Sequence, residues 1–130
     1  MKLSVLYRHR NVSLLLLRIA LAGPFLFHGY AKWTNFATMP GIMKILAVAE
    51  PLGAVALILG FLTRWASLGL AIIMLGAIWT KMSVMGVGYA EMGKTGWEFD
   101  FILFAASIAI LVHGPGKYSV DLGVGWDERH

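Results

Sequence analysis

Three ionisable side chains lie in or beside apolar segments of this sequence and are its most direct candidates for chemistry. His28 and Lys32 are one helical turn apart near the end of the first apolar run, and Glu50 stands directly before Pro51 in the second. A charged side chain at bilayer depth costs about 2.5–3.5 kcal/mol on insertion scales, so it is normally paired or functional. A carboxylate beside hydrogen-bond donors can exchange a proton with a bound carbonyl compound. We therefore interpret Glu50 and His28 as the candidate catalytic residues.

Further polar residues are expected at the depth of Glu50, at the corresponding ends of the other apolar runs. This group, the outer layer, comprises His28, Lys32, Glu50, Lys81, Glu98 and Asp100. Within and beside it, the candidate substrate-binding residues are Lys32, Lys81, Asp100 and Trp33. The group lacks a diagnostic metal-ligand spacing, so no metal site is predicted.

Several of these residues also have a purely structural interpretation. Glu50 could neutralise Lys32 or Lys81 and thereby fix the register between two helices. Glu98 and Asp100 open the fourth apolar run, and the helix dipole favours carboxylates at a helix N-terminus whatever their function. The sequence leaves both interpretations open.

A second polar group, the inner layer, is expected at the helix ends that lie near both chain termini. Arg18, Arg64 and Asp121 are its predicted ion-pairing residues, and His113 and Tyr118 belong to the same level. Arg18 interrupts the first apolar run, so we expect its side chain to snorkel toward water or to pair with Asp121. These three residues are interpreted as structural.

The composition is that of a membrane protein. Of 130 residues, 58% are apolar and 14% are charged, against about 45–50% and about 25% in soluble domains. The net charge of +4 comes from basic residues scattered at the ends of apolar runs, a pattern that does not predict nucleic-acid binding. The chain has no cysteine, which excludes disulfides, thiolate chemistry and iron–sulfur ligation by its own residues.

The apolar pattern predicts an all-α membrane protein with a single domain over residues 1–130. Transmembrane helices are expected at about 12–31, 41–62, 65–87 and 97–112. The segments between them are short, and short connections make consecutive helices antiparallel neighbours. We therefore predict an antiparallel bundle of four transmembrane helices. Lysine and arginine are in modest excess on the side of the termini, which places both termini in the cytoplasm.

Three stretches carry a resemblance to a known family. "LLRIALAGPFLFHGYAKW", "EPLGAVALILGFLTRWASLGLA" and "HGPGKYSVD" resemble, in order, three motifs of the DoxX family. The resemblance implies a small four-helix protein of the bacterial inner membrane. It also implies a link to redox chemistry, because relatives of the DoxD type are associated with thiosulfate:quinone oxidoreductase and others with oxidative-stress assemblies.

These observations lead to one main functional prediction and two alternatives. The main prediction is a quinone- or quinol-interacting subunit of a membrane oxidoreductase, with quinone as substrate and no covalent cofactor. The first alternative is a non-catalytic membrane anchor for a soluble redox enzyme. The second is a small-molecule carrier with Glu50 as its proton site. Membrane lipids and a second copy of the chain are the other expected partners, and whether the chain is itself an enzyme stays open.

Overall fold

The computed structural model describes residues 3–127, and its regular elements in that range are helical. The elements are α1 (Ser4–Tyr7), α2 (Arg10–Trp33), a 3-10 turn (Phe36–Thr38), α3 (Gly41–Leu59), α4 (Thr63–Ser83), α5 (Trp97–His113) and α6 (Val120–Gly123). Within residues 3–127 the β-type pairing is limited to an isolated bridge between Glu91 and Lys94. The prediction of an all-α chain is confirmed.

Helices α2, α3 and α4 are long and apolar enough to cross a membrane. They contain 24, 19 and 21 residues, and a span needs about 20 residues with a range of about 17–25. Helix α5 is also apolar but has 17 residues, at the lower end of that range. The chain is therefore a membrane protein with three helices of spanning length and a shorter fourth one.

Helix α3 ends three residues before its predicted boundary because of Gly60. This residue has φ +69°, and the amide of Phe61 donates to the carbonyl of Ala56 at 2.8 Å. A left-handed glycine with such a bond is a common helix C-terminus. The chain turns at once into α4, which likewise ends before the predicted boundary, at Ser83 rather than at 87.

The four long helices pack chiefly as two pairs, α2 with α3 and α4 with α5. Their shared core contains Leu21, Phe25, Leu57, Leu70 and Ile110, each at most 2% exposed. Large apolar side chains also cover the outside of every long helix: Leu16, Ile42, Ile72 and Ile102 are each at least 60% exposed. A soluble monomer rarely exposes so much contiguous apolar surface, whereas lipid chains would cover it.

Helices α2 and α3 approach closely at Gly29. A Cβ atom at Gly29 would collide with the ring of Pro51. The contact holds His28 beside the segment of α3 that begins at Glu50. The glycine of the His-Gly motif is therefore needed for helix approach at the outer layer.

We expect Gly29→Ala to lower the free energy of unfolding by about 1–3 kcal/mol, the usual cost of overpacking a tight contact. Gly23→Ala is the matched control on the same helix, because a Cβ atom there meets nothing within 4 Å. Gly23→Ala should be neutral or stabilising by up to about 1 kcal/mol, since alanine favours helix more than glycine does. Unfolding in mixed detergent micelles measures both. Equal losses in the two variants would contradict the Gly29–Pro51 contact.

Candidate functional site

Five of the six outer-layer residues meet at one cavity of about 180 Å³ between α2, α3, α4 and α5. The polar residues that line it are His28, Lys32, Glu50, Lys81, Asp100 and Thr95. Phe25, Met74, Ala77, Phe99 and Leu103 supply its apolar lining. The sixth member of the outer layer, Glu98, is outside this lining. We call this space the outer cavity.

One wall of the outer cavity is an ion pair between α2 and α3. The ammonium of Lys32 lies 2.8 Å from Oε2 of Glu50, and the side chains are 18% and 5% exposed. Of the two partners that the sequence offered for Glu50, the structure gives it Lys32. The pairing follows from the close approach of α2 and α3, which places the last turn of α2 opposite the middle of α3.

The opposite wall carries a second ion pair, between α4 and α5. Nζ of Lys81 lies 2.6 Å from Oδ2 of Asp100, and the side chains are 20% and 9% exposed. Asp100 lies in the first turn of α5, where the helix dipole also favours its negative charge. Two lysine–carboxylate pairs, each within one helix pair, therefore face the same small space.

His28 forms the rim of the outer cavity. Its side chain lines the cavity, yet the residue is exposed at the surface of the bundle. The imidazole contacts the rings of Phe27 and Phe99, with centroid distances of 5.7 and 6.4 Å. His28 thus lies where the cavity meets the outer surface of the bundle.

The loop between α4 and α5 covers the outer cavity from the end. The amide of Trp97 donates to the carbonyl of Gly88 at 3.3 Å, and the amide of Glu98 donates to the carbonyl of Tyr89 at 3.0 Å. A Cβ atom at Gly96 would collide with that tyrosine carbonyl. Backbone carbonyls of the loop therefore cap α5, and the same loop places Thr95 in the cavity lining.

Trp33 supports the site without lining it. Pro51 has no N–H, so the carbonyl of Ala47 lacks its usual helical donor. The indole Nε1 of Trp33 donates to that carbonyl at 2.9 Å. Trp33 is not among the residues that line the cavity. Its indole replaces the helical hydrogen bond that α3 lacks at Pro51, the residue after Glu50.

We expect Trp33→Phe to cost about 1–3 kcal/mol of unfolding free energy, because it leaves the carbonyl of Ala47 without a donor. Trp79→Phe is the matched control, since Trp79 is 63% exposed and such a surface change normally stays within about 0.5 kcal/mol. Thermal unfolding of both variants in the same detergent gives the comparison. An equal effect at the two positions would contradict a structural bond at Trp33.

A model of the DoxX family matches residues 13–82, more than half of the chain. The chain belongs to the DoxX family. No curated protein and no solved structure matches it. The DoxX match contains four lining residues of the outer cavity that carry ionisable groups: His28, Lys32, Glu50 and Lys81. Asp100 lies beyond it and is supplied by α5.

The inner layer of this DoxX protein is a set of fixed structural contacts. Arg18 is fully buried and donates from Nη2 to the carbonyl of Tyr118. Asp121 is also buried, and its two carboxylate oxygens accept from the amides of Leu62 and Thr63 at 2.6 and 2.8 Å. Among the described residues Arg18 and Asp121 form no direct ion pair, because the carboxylate caps the start of α4 instead.

Arg64 takes a partner that the sequence reasoning missed. Its Nε donates to Oδ2 of Asp127 at 2.9 Å, and its Nη1 donates to the carbonyl of Leu111 at 2.6 Å. The guanidinium thereby ties the start of α4 to the end of α5 and to the chain beyond α6. No sequence signal identifies Asp127, which lies outside the family motifs. Within residues 3–127, no group of three or more metal-ligating side chains is arranged to hold a metal ion.

Proposed function

We propose that this DoxX protein is a quinone- or quinol-interacting subunit of a membrane oxidoreductase and that the outer cavity binds the quinone head group. The observation that carries the proposal is the convergence of His28 and two lysine–carboxylate pairs on one small cavity. Hydrogen-bond donors there meet the two carbonyl oxygens of a quinone, while the aromatic ring of Phe99 and the thioether of Met74 provide apolar contact.

The size of the outer cavity suits one ring. Its volume is about 180 Å³, and an apolar cavity of about 150 Å³ in another protein binds benzene. A substituted six-membered ring therefore fits, while an isoprenoid tail does not. The tail would leave past His28, at the rim of the cavity, into the lipid that surrounds the bundle.

The ionisable residues can supply the protons of the reaction. Reduction of a quinone to a quinol takes up two electrons and two protons, one proton at each carbonyl oxygen. His28 and the ammonium groups of Lys32 and Lys81 would donate hydrogen bonds to the quinone, Glu50 and His28 would give or take the protons, and Asp100 would balance the charge of Lys81. The electrons would come from a soluble or membrane-bound redox partner.

The proposed architecture is an antiparallel bundle of four transmembrane helices, with α5 as the fourth span. Its 17 residues fall within the accepted range for a span, and the extensive contact between α4 and α5 supports its assignment to the bundle. Both termini would lie in the cytoplasm of a bacterial cell, with the protein in the inner membrane. The excess of lysine and arginine on that side supports this orientation.

The core beneath the outer cavity favours a quinone site over a carrier. Leu21, Leu57, Leu70 and Ile110 are at most 1% exposed and lie about one turn or more below the cavity lining along their helices. Such a layer would block passage of a polar solute. Lateral exposure of His28 matches a ligand that arrives through the bilayer.

Photolabelling with an azido-quinone tests the assignment of the site. The protein in mild detergent is irradiated with the analogue, digested and examined by peptide mass spectrometry. We expect labelled peptides from the last turns of α2 and the first turns of α5, with labelling suppressed by excess native quinone. Labelling confined to the peptides of α6, or unaffected by quinone, would contradict the site.

A further inference from the structure

The structure holds a second and larger cavity at the opposite end of the bundle. Its volume is about 350 Å³, and we call it the inner cavity. It is bounded by the first turn of α2, the loop from Gly114 to Ser119, and α6. The polar lining residues are Arg10, Asn11, His113, Lys117, Ser119 and Asp127. None of them has a part in the quinone site.

The walls of the inner cavity are fixed by hydrogen bonds. The amide of Lys117 donates to Oδ1 of Asn11 at 2.9 Å, which ties the loop to α2. The hydroxyl of Ser119 donates to the carbonyl of Gly116 at 2.8 Å and accepts from the amide of Leu122. Gly116 has φ +83° and packs against Leu14. The cavity is therefore built into the fold before any ligand arrives.

The charge of the inner cavity is positive. Lys117 and Arg10 line it, and His113 adds an imidazole. The carboxylate in the lining belongs to Asp127, and it is already engaged by Arg64 at 2.9 Å. Ammonium and guanidinium groups around a polar cavity select an anion with several acceptor oxygens, of which a phosphate ester is the common biological example.

The inner cavity lies at the level of the lipid headgroups. Trp65, Tyr118 and Trp126 surround this end of the bundle and are 73%, 51% and 60% exposed; tryptophan and tyrosine concentrate at the membrane interface. Beside the cavity on α2, Val12 and Leu16 are 51% and 66% exposed and begin the apolar surface. A ligand with a phosphate and two acyl chains can place its phosphate in the polar inner cavity and its acyl chains against the apolar surface of α2.

We propose that the inner cavity binds the phosphate group of an anionic phospholipid. Lys117 and His113 contact the headgroup, and the acyl chains follow the exposed face of α2. Basic pockets between transmembrane helices bind anionic headgroups in this manner. The proposal is independent of the quinone site, which lies at the other end of the helices.

Native mass spectrometry of the detergent-purified protein tests the proposal. The protein is titrated with phosphatidylglycerol and, separately, with phosphatidylcholine of the same acyl chains. We expect preferential retention of phosphatidylglycerol, a roughly fivefold weakening in Lys117→Gln, and a further loss in the double variant with His113→Gln, which removes the imidazole contact to the headgroup. Lys94→Gln is the control, because the Lys94 side chain is 68% exposed in the loop at the opposite end.

A competition arm separates lipid from free phosphate. Inorganic phosphate should leave bound phosphatidylglycerol in place at millimolar concentration, because it lacks the contacts of the acyl chains. Displacement by phosphate alone would show that the site binds a free anion and would overturn the proposal of a phospholipid ligand. Equal retention of the two lipids, or unchanged retention in the Lys117→Gln variant, would overturn the site itself. Circular dichroism of each variant confirms that the helices are intact.

Discussion

Replacing Glu50 with alanine is expected to lower the free energy of unfolding by about 3 kcal/mol, because it leaves a largely buried ammonium without its partner. The ammonium is that of Lys32, which lies 2.8 Å from the Glu50 carboxylate. The Lys32 side chain is 18% exposed, so water would solvate the unpaired ammonium only in part. Denaturant unfolding in mixed micelles measures the loss.

The control for Glu50→Ala is the double variant Lys32→Met/Glu50→Leu. Removing both charges and filling the space with apolar side chains of similar length is often neutral or stabilising. We therefore expect the double variant to recover most of the stability that the single variant loses. A double variant as unstable as Glu50→Ala would contradict the ion pair as the source of the loss. Glu98→Gln, outside the cavity lining, serves as a charge control.

The second large effect is expected at Asp121. Its carboxylate accepts two backbone amides at the start of α4, and hydrogen bonds to a charged group are worth about 1.5–3 kcal/mol each. Asp121→Ala also removes a negative charge that stabilises the guanidinium of the fully buried Arg18. We expect a loss of about 3 kcal/mol or more in unfolding free energy.

Asp121→Asn gives a graded comparison, because the amide oxygen can still accept one of the two backbone hydrogens. Its loss should be about half that of Asp121→Ala, in line with one retained bond. The control is Glu91→Gln in the loop between α4 and α5. The glutamine oxygen can still accept the amide of Gly88, which donates to Glu91 at 2.7 Å, so the change should stay within about 0.5 kcal/mol. If Asp121→Ala were as mild as Glu91→Gln, the capping role would be wrong.

The long helices were predictable because each is one continuous apolar run. The ends of the helices were less predictable. Helix α3 ends at Leu59 because Gly60 takes the left-handed conformation, and the apolar pattern continues through that turn. The common depth of the outer-layer residues was predictable, since helix length alone sets the depth of each polar residue. The sequence did not predict which of these residues form ion pairs. Lys32 and Lys81 lie at similar depth, and the partner of Glu50 is decided by which helices pack together.

Trp33 and Asp121 show what a sequence cannot reveal. The free carbonyl of Ala47 follows from Pro51 alone, but its donor comes from the neighbouring helix and depends on the packing at Gly29. Likewise, the carboxylate of Asp121 reaches backbone amides nearly sixty residues earlier in the chain. No periodicity or fixed spacing in the sequence predicts either contact, because each one joins two segments that come together only in the folded chain.

The amount of quinone bound per protein is the most direct test of a quinone site in the outer cavity. The protein is purified in mild detergent, its lipids are extracted, and quinone is quantified by chromatography and mass spectrometry. Three forms are compared: the wild type, Lys32→Met/Glu50→Leu and Asp121→Asn. The last is weakened at the inner layer, away from the cavity, and controls for loss of stability.

We expect near-stoichiometric quinone in the wild type and in Asp121→Asn. In the double variant the affinity for quinone should fall about tenfold, and bound quinone per protein with it, because one charge-assisted hydrogen bond to the quinone is removed. Quinone in the wild type no higher than in an unrelated four-helix membrane protein, or undiminished in the double variant, would contradict the quinone site. The two ion pairs of the outer cavity would then be structural charges that fix the register of the helices.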